Sequence, residues 1–113
     1  MPTCIIEYGK DLEKEIDIPD FIDALHKTLN NSGLFEENDI KTRAAPFVHY
    51  KIGTTEKSFI HINIHILSGR SSEQKRSLSQ SVLQHLKTLN LINFSLTVEI
   101  REIDRDSYSK IVT

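Results

Sequence analysis

Between Phe59 and Leu67 apolar and polar positions alternate without a break: Ile60, Ile62, Ile64 and Ile66 share one side, His61, Asn63 and His65 the other. A period of two marks a strand with one buried face. Gly69 stops the run, and Ser71-Ser72-Glu73-Gln74 has the form of a capping box. Leu78, Val82, Leu86 and Leu89 then repeat at helical spacing, which predicts a helix running to Asn90. Phe94, Leu96, Val98 and Ile100 alternate again and predict a strand over Phe94–Ile103. A polar segment, Asp104–Ser109, leads into Lys110–Thr113, read as a last short strand.

The first half repeats the same grammar. Thr3–Tyr8 is rich in β-formers and ends at Gly9; Asp17 caps a helix just ahead of Pro19, with Ile18, Ile22, Leu25 and Leu29 on its buried side; Asn30-Asn31-Ser32-Gly33 ends it. Ile40–Tyr50 reads as a strand interrupted by Pro46, hence an edge strand or a bulge. Gly53–Lys57 reads as the turn of a hairpin leading into Phe59. The order is therefore one βαβ unit used twice, with repeats at about 2–52 and 58–113. Each crossover places its two strands parallel, and two units join into one four-stranded mixed sheet with both helices on one face, an α/β (α+β) architecture. The other face, carrying His61, Asn63 and His65, is too polar for a private core, and its expected cover is a sister chain.

Composition narrows the field. Leu, Ile, Val and Phe fill 35 of 113 positions, well above the roughly 20% that marks disorder, so residues 1–113 are expected to fold as a single domain. No apolar run approaches the about 18 residues that span a bilayer. With 14 Lys+Arg against 16 Asp+Glu the net charge is -2, which argues against nucleic acid as a partner. Cys4 is the sole cysteine and the start of the chain lacks the basic and apolar regions of a secretion signal, so the expected location is the cytoplasm.

Pro2 carries the most chemical information. An initiator Met is normally removed when a small residue such as Pro follows it, leaving a secondary amine, whereas an internal proline nitrogen is a non-basic amide. A free α-amine titrates near pH ~8, and burial or a nearby cation lowers that value, giving a base poised near neutrality. The plain alternative is that Pro2 merely permits Met removal. The second feature is Ile64-His65-Ile66-Leu67-Ser68-Gly69-Arg70-Ser71-Ser72-Glu73-Gln74-Lys75, in which a strand delivers Gly, then Arg, then a capped helix. Glycine permits the tight turn, Arg offers a planar fork matched to a carboxylate, and the helix start adds partial positive charge.

This segment resembles the opening strand and helix start of 4-oxalocrotonate tautomerase, in which the corresponding Arg binds and polarises a dicarboxylate. In that family the strand begins with the catalytic proline, whereas the aligned position here is Ile60, so the first half must supply the base. A duplicated chain with Pro2 at its start, Ile40-Lys41-Thr42-Arg43 in the middle and Gly69-Arg70-Ser71 later resembles 5-carboxymethyl-2-hydroxymuconate isomerase of the same tautomerase superfamily. The resemblance implies a tautomerase/MIF-like fold, a homotrimer with pockets at subunit boundaries, and a cofactor-free isomerase. Its substrate would be an unsaturated 2-hydroxy or 2-oxo di- or tricarboxylate, with Pro2 as general base and Arg70, Arg43 and Lys41 as substrate-binding cations. The family's mid-chain segment resembles Ile-Arg-x-Arg. Lys41 replaces its first Arg, keeping the charge and losing the bidentate fork. Lys41 and Arg43 are two apart on a strand and share a face, so both are expected to point into one pocket.

A metal site is not expected, since His61 and His65 would stand about 13 Å apart on an extended strand, too far for one zinc ion. Cys4 alternates with Pro2 and Ile6 and reads as a buried thiol. The competing class is a binding protein on the same scaffold, as among the migration-inhibitory-factor relatives.

Overall fold

A computed structural model describes every residue, Met1–Thr113. Strand β1 (Thr3–Gly9) leads through a 3-10 turn to helix α1 (Ile18–Asn31), and strand β2 (Lys41–Phe47) follows. Strand β3 (Ser58–Leu67), helix α2 (Ser72–Lys87) and strand β4 (Phe94–Ile103) complete the second half. The sheet order is β2-β1-β3-β4. β1 and β2 run parallel, β3 and β4 run parallel, and β1 meets β3 antiparallel in the centre.

The alternation decides which face is buried. Ile60, Ile62, Ile64 and Ile66 of β3 and Cys4, Ile6 and Tyr8 of β1 form one cluster with Phe21, Leu25 and Leu29 of α1 and Leu78, Val82 and Leu86 of α2. Both helices therefore cover the same side of the sheet. Asp17 caps α1 by accepting from the Asp20 amide at 3.1 Å. The capping box of α2 is complete, with Ser71 and Gln74 exchanging side-chain and backbone bonds at 2.9 and 3.1 Å.

The opposite face is a polar row. Paired residues share a face, so Lys41 and Arg43 of β2 lie beside Thr3 and Ile5 of β1, which lie beside His65 and Asn63 of β3. His61 bridges Thr97 at 2.7 Å and Glu99 at 2.9 Å, and Arg101 donates to Glu99 at 3.2 Å. Nε2 of His65 and Oδ1 of Asn63 are occluded without a hydrogen-bond partner.

Several expectations need correction. β2 and β3 form no hairpin: they occupy different places in the sheet, separated by β1, and the 48–57 connection holds only an isolated bridge between Ile52 and Thr55. β2 ends at Phe47 rather than Tyr50, with Pro46 inside an edge strand, where its missing N–H costs no ladder bond on the open side. α2 ends at Lys87, short of Asn90, whose φ of 52° is left-handed and ends helical geometry. Lys110–Thr113 is not a strand, because Lys110 is drawn to Asp39 instead of a sheet edge.

Candidate active site

The chain start lies just ahead of β1, beside the first residue of β2. Pro2 is fully buried, on the helix side with Cys4 and Ile6, and its carbonyl accepts from the Lys41 amide at 3.1 Å. Met1, half-buried, lines a pocket of about 300 Å³ with Leu34, Phe35, Glu36, Asp39, Leu67, Arg70 and Arg105. Burial acts first to hold the Met1 α-amine below its ordinary value. Lys41 is next, Lys110 and Arg70 add to the lowering, and Asp39 opposes it.

Arg70 is positioned from three directions. Gly69, at φ 125°, makes a turn that side chains rarely allow. Ser68 is held at its amide by the Ile103 carbonyl at 3.0 Å, and at its carbonyl by Nε and Nη2 of Arg105 at 3.1 and 3.0 Å. The guanidinium then donates to the Leu34 carbonyl at 2.7 Å and stacks 5.0 Å above the Phe35 ring. The bond to Leu34 uses one of its five donors and the stacking uses none, so the rest of the fork is available to an anion.

The structure brings Met1, the neighbour of Pro2, into one pocket with Arg70 and within reach of the charge of Lys41, while Pro2 itself is buried and does not line that pocket. Arg43 does not join them: it is exposed, opposite Ile5, on the sheet face turned away from Pro2. Lys41 and Arg43 do share a face, but it is the open one. Four participants carried no local signal in the sequence: Phe35 and Asp39 from the α1–β2 connection, Arg105 from the turn after β4, and Lys110, 71 residues from its partner Asp39. Cys4 is free and buried, and burial pushes its thiol up to about 12, so it is no nucleophile. A larger groove of about 470 Å³ between the ends of α1 and α2 is lined by serines, with Glu73 as its one charged residue, and offers no cation to an anionic substrate.

The geometry and the sheet order define the tautomerase/MIF-like class, and solved structures share the fold. A 5-carboxymethyl-2-hydroxymuconate isomerase from Deinococcus radiodurans R1 superposes with a TM-score of 0.87 at 22% identity, over 99% of this chain and 90% of that one. A fused wild-type 4-OT symmetric trimer gives 0.78 at 13% identity, over 96% and 90%. A macrophage migration inhibitory factor-like protein from Entamoeba histolytica gives 0.71 at 12% identity, over 97% and 95%. No curated protein matches the chain in sequence. The 5-carboxymethyl-2-hydroxymuconate isomerase family model matches residues 2–111, and the chain belongs to that family. It is an isomerase of the tautomerase type, and no helix is long and apolar enough to cross a membrane.

Proposed function

We propose that the chain catalyses keto–enol tautomerisation of an unsaturated 2-hydroxy or 2-oxo di- or tricarboxylate, with 5-carboxymethyl-2-hydroxymuconate as the first substrate to test. The base is the secondary amine of Pro2, freed by removal of Met1. It takes the enol O–H proton, the dienolate charge moves from oxygen toward carbon, and the resulting ammonium delivers the proton there. One O–H bond breaks and one C–H bond forms, with no net loss of atoms or electrons, so the reaction asks for no redox group. The observation that carries this reading is the convergence of the chain start and Arg70 on one small pocket, where burial and cations lower the amine. The amine so placed is that of Met1; Pro2 is the next residue and is fully buried, and burial is expected to lower its freed amine in the same direction. Arg70, and across the pocket Arg105, meet the carboxylate and the developing oxyanion.

The family resemblance and the unpartnered atoms of Asn63 and His65 on the open face support a homotrimer in which those faces are covered. In such an assembly Arg43, and part of the charge of Lys41, serve a neighbour's Pro2. The rival reading, a binding protein on this scaffold, has the shared fold in its favour and no feature of the surface that names a partner.

The test is the ultraviolet rate of ketonisation of 5-carboxymethyl-2-hydroxymuconate by protein shown by intact mass to lack Met1, beside Pro2→Ala. The variant is expected to lose about 10²–10⁴-fold in kcat/KM. Equal turnover by the variant would overturn the base assignment. An inactive processed parent would overturn the substrate assignment, with Lys41 in place of Arg the first cause to examine.

A further inference from the structure

Beyond the turn at Arg105–Ser107 the chain has no regular structure, and Ile111 and Val112 are 86% and 79% exposed. Apart from the local bond from the Tyr108 amide to Arg105, this segment makes one hydrogen bond to the rest of the molecule: Lys110 Nζ donates to Asp39 Oδ1 at 2.6 Å. Asp39 lines the pocket at the chain start and stands two residues ahead of Lys41, whose amide holds the Pro2 carbonyl. A lone surface ion pair is usually worth little. This one joins the last residues of the chain to the wall of the site that contains the first.

We propose that the Lys110–Asp39 pair is a positioning element of this site, tying the C-terminal segment beside the chain start and setting the net charge that faces the Pro2 amine. The proposal rests on Pro2 being the base. The charged groups around the chain start at Met1, next to Pro2, come from every neighbouring element: Asp39 and Glu36 from the α1–β2 connection, Lys41 from β2, Arg70 from the turn before α2, Arg105 from the turn after β4, and Lys110 from the tail. Asp39 is the anion whose charge acts on the chain-start amine of Met1, raising it, and at the Pro2 amine the same sign would favour the protonated, catalytically silent form. Lys110 offsets it and brings a cation of its own. Each partner also holds the other charged, since the bond keeps the Asp39 carboxyl low and the Lys110 ammonium high, so the pair stays ionised across the working range of the base. An unpaired Asp39 would in addition repel an incoming carboxylate.

The measurement is an NMR titration of the Pro2 amine in the full chain lacking Met1, with isotope-labelled proline. The parent is compared with Lys110→Met, Lys110→Arg, Asp39→Asn and the Lys110→Met/Asp39→Asn double variant. The expected result is an amine pKa raised by roughly half a unit in Lys110→Met. A fall of similar size is expected in Asp39→Asn, with values near the parent in the double variant and in Lys110→Arg. The acid limb of the kcat/KM profile should move with the amine, which a purely structural tether would not produce. An amine unmoved in both single variants would overturn the proposal. A flat titration beside an inactive Pro2→Ala would overturn the role of the pair and leave the base standing. Shifts as expected beside an active Pro2→Ala would overturn the base and leave the pair's hold on the amine.

Discussion

The two central strands begin in opposite ways. At the start of β3, Ser58 is 5% exposed; its hydroxyl donates to Asp11 at 2.6 Å and accepts from Tyr50 at 3.2 Å, while Phe59 meets the Tyr50 ring edge-on at 4.9 Å. At the start of β1 a pocket remains open beneath two arginines. The glycines at the far ends of these strands, Gly9 closing β1 and Gly69 just past β3, differ in the same sense. Gly9 has an ordinary φ of -67° and is needed for closeness, because a Cβ there would overlap the Ser58 hydroxyl and lie 2.6 Å from the Tyr50 oxygen. Gly69, at φ 125°, is needed for conformation, since its nearest neighbour would stand 3.6 Å from a Cβ. One strand–helix–strand plan thus carries a sealed end, where the backbone nitrogen is an amide with no chemistry to expose. Its other end is open, where the chain can present an amine.

Substitutions that break this contrast rank by size. Arg70→Ala removes the fork from the open end and is expected to lower kcat/KM about 100-fold with little change in urea stability. An equal loss from Lys10→Ala, at the matching place after β1, would show that the ends are not specialised. Gly9→Ala forces an extra methyl into the sealed end and should destabilise by about 2 kcal/mol in urea unfolding, against a cost at Gly69→Ala that arises from φ instead of contact. Ser58→Ala strips Asp11 and Tyr50 of their shared partner and should cost about 1 kcal/mol, with catalysis intact in the folded fraction.

The smallest effect sharpens the open end electrostatically. A base works when neutral, so kcat/KM rises with pH through the amine's pKa and levels above it. Burial and the net influence of the cations lower the amine at the chain start, so the midpoint of the rise is expected below the ordinary amine value of about 8. Added salt screens Lys41, Lys110 and Arg70 more than it alters burial, so the acid limb should drift upward by a few tenths of a unit. A downward drift would mean that Asp39 dominates.

The elements were legible because each is written in local periodicity: the β3 alternation, the Asp17 cap, the Ser71–Gln74 box and the burial of Cys4 require only neighbours in the chain. The resemblance around Gly69-Arg70-Ser71 singled out Arg70, whose turn and capped helix the structure contains. Lys41 and Arg43 show the limit of such reading. Their shared face followed from a period of two, yet which face of the sheet it would be depended on the register with β1.

Residues 1–113 themselves determined six elements and their order and singled out Arg70 and Lys41 among the cations, since propensity, capping and amphipathic period act over a few residues. Strand order, the antiparallel meeting of β1 with β3, and the arrival of Arg105 at Ser68 and Lys110 at Asp39 were settled by folding. Those contacts join residues 37 and 71 positions apart. No local pattern encodes them, because their free energy exists only once the core beneath the sheet has closed and brought the segments together.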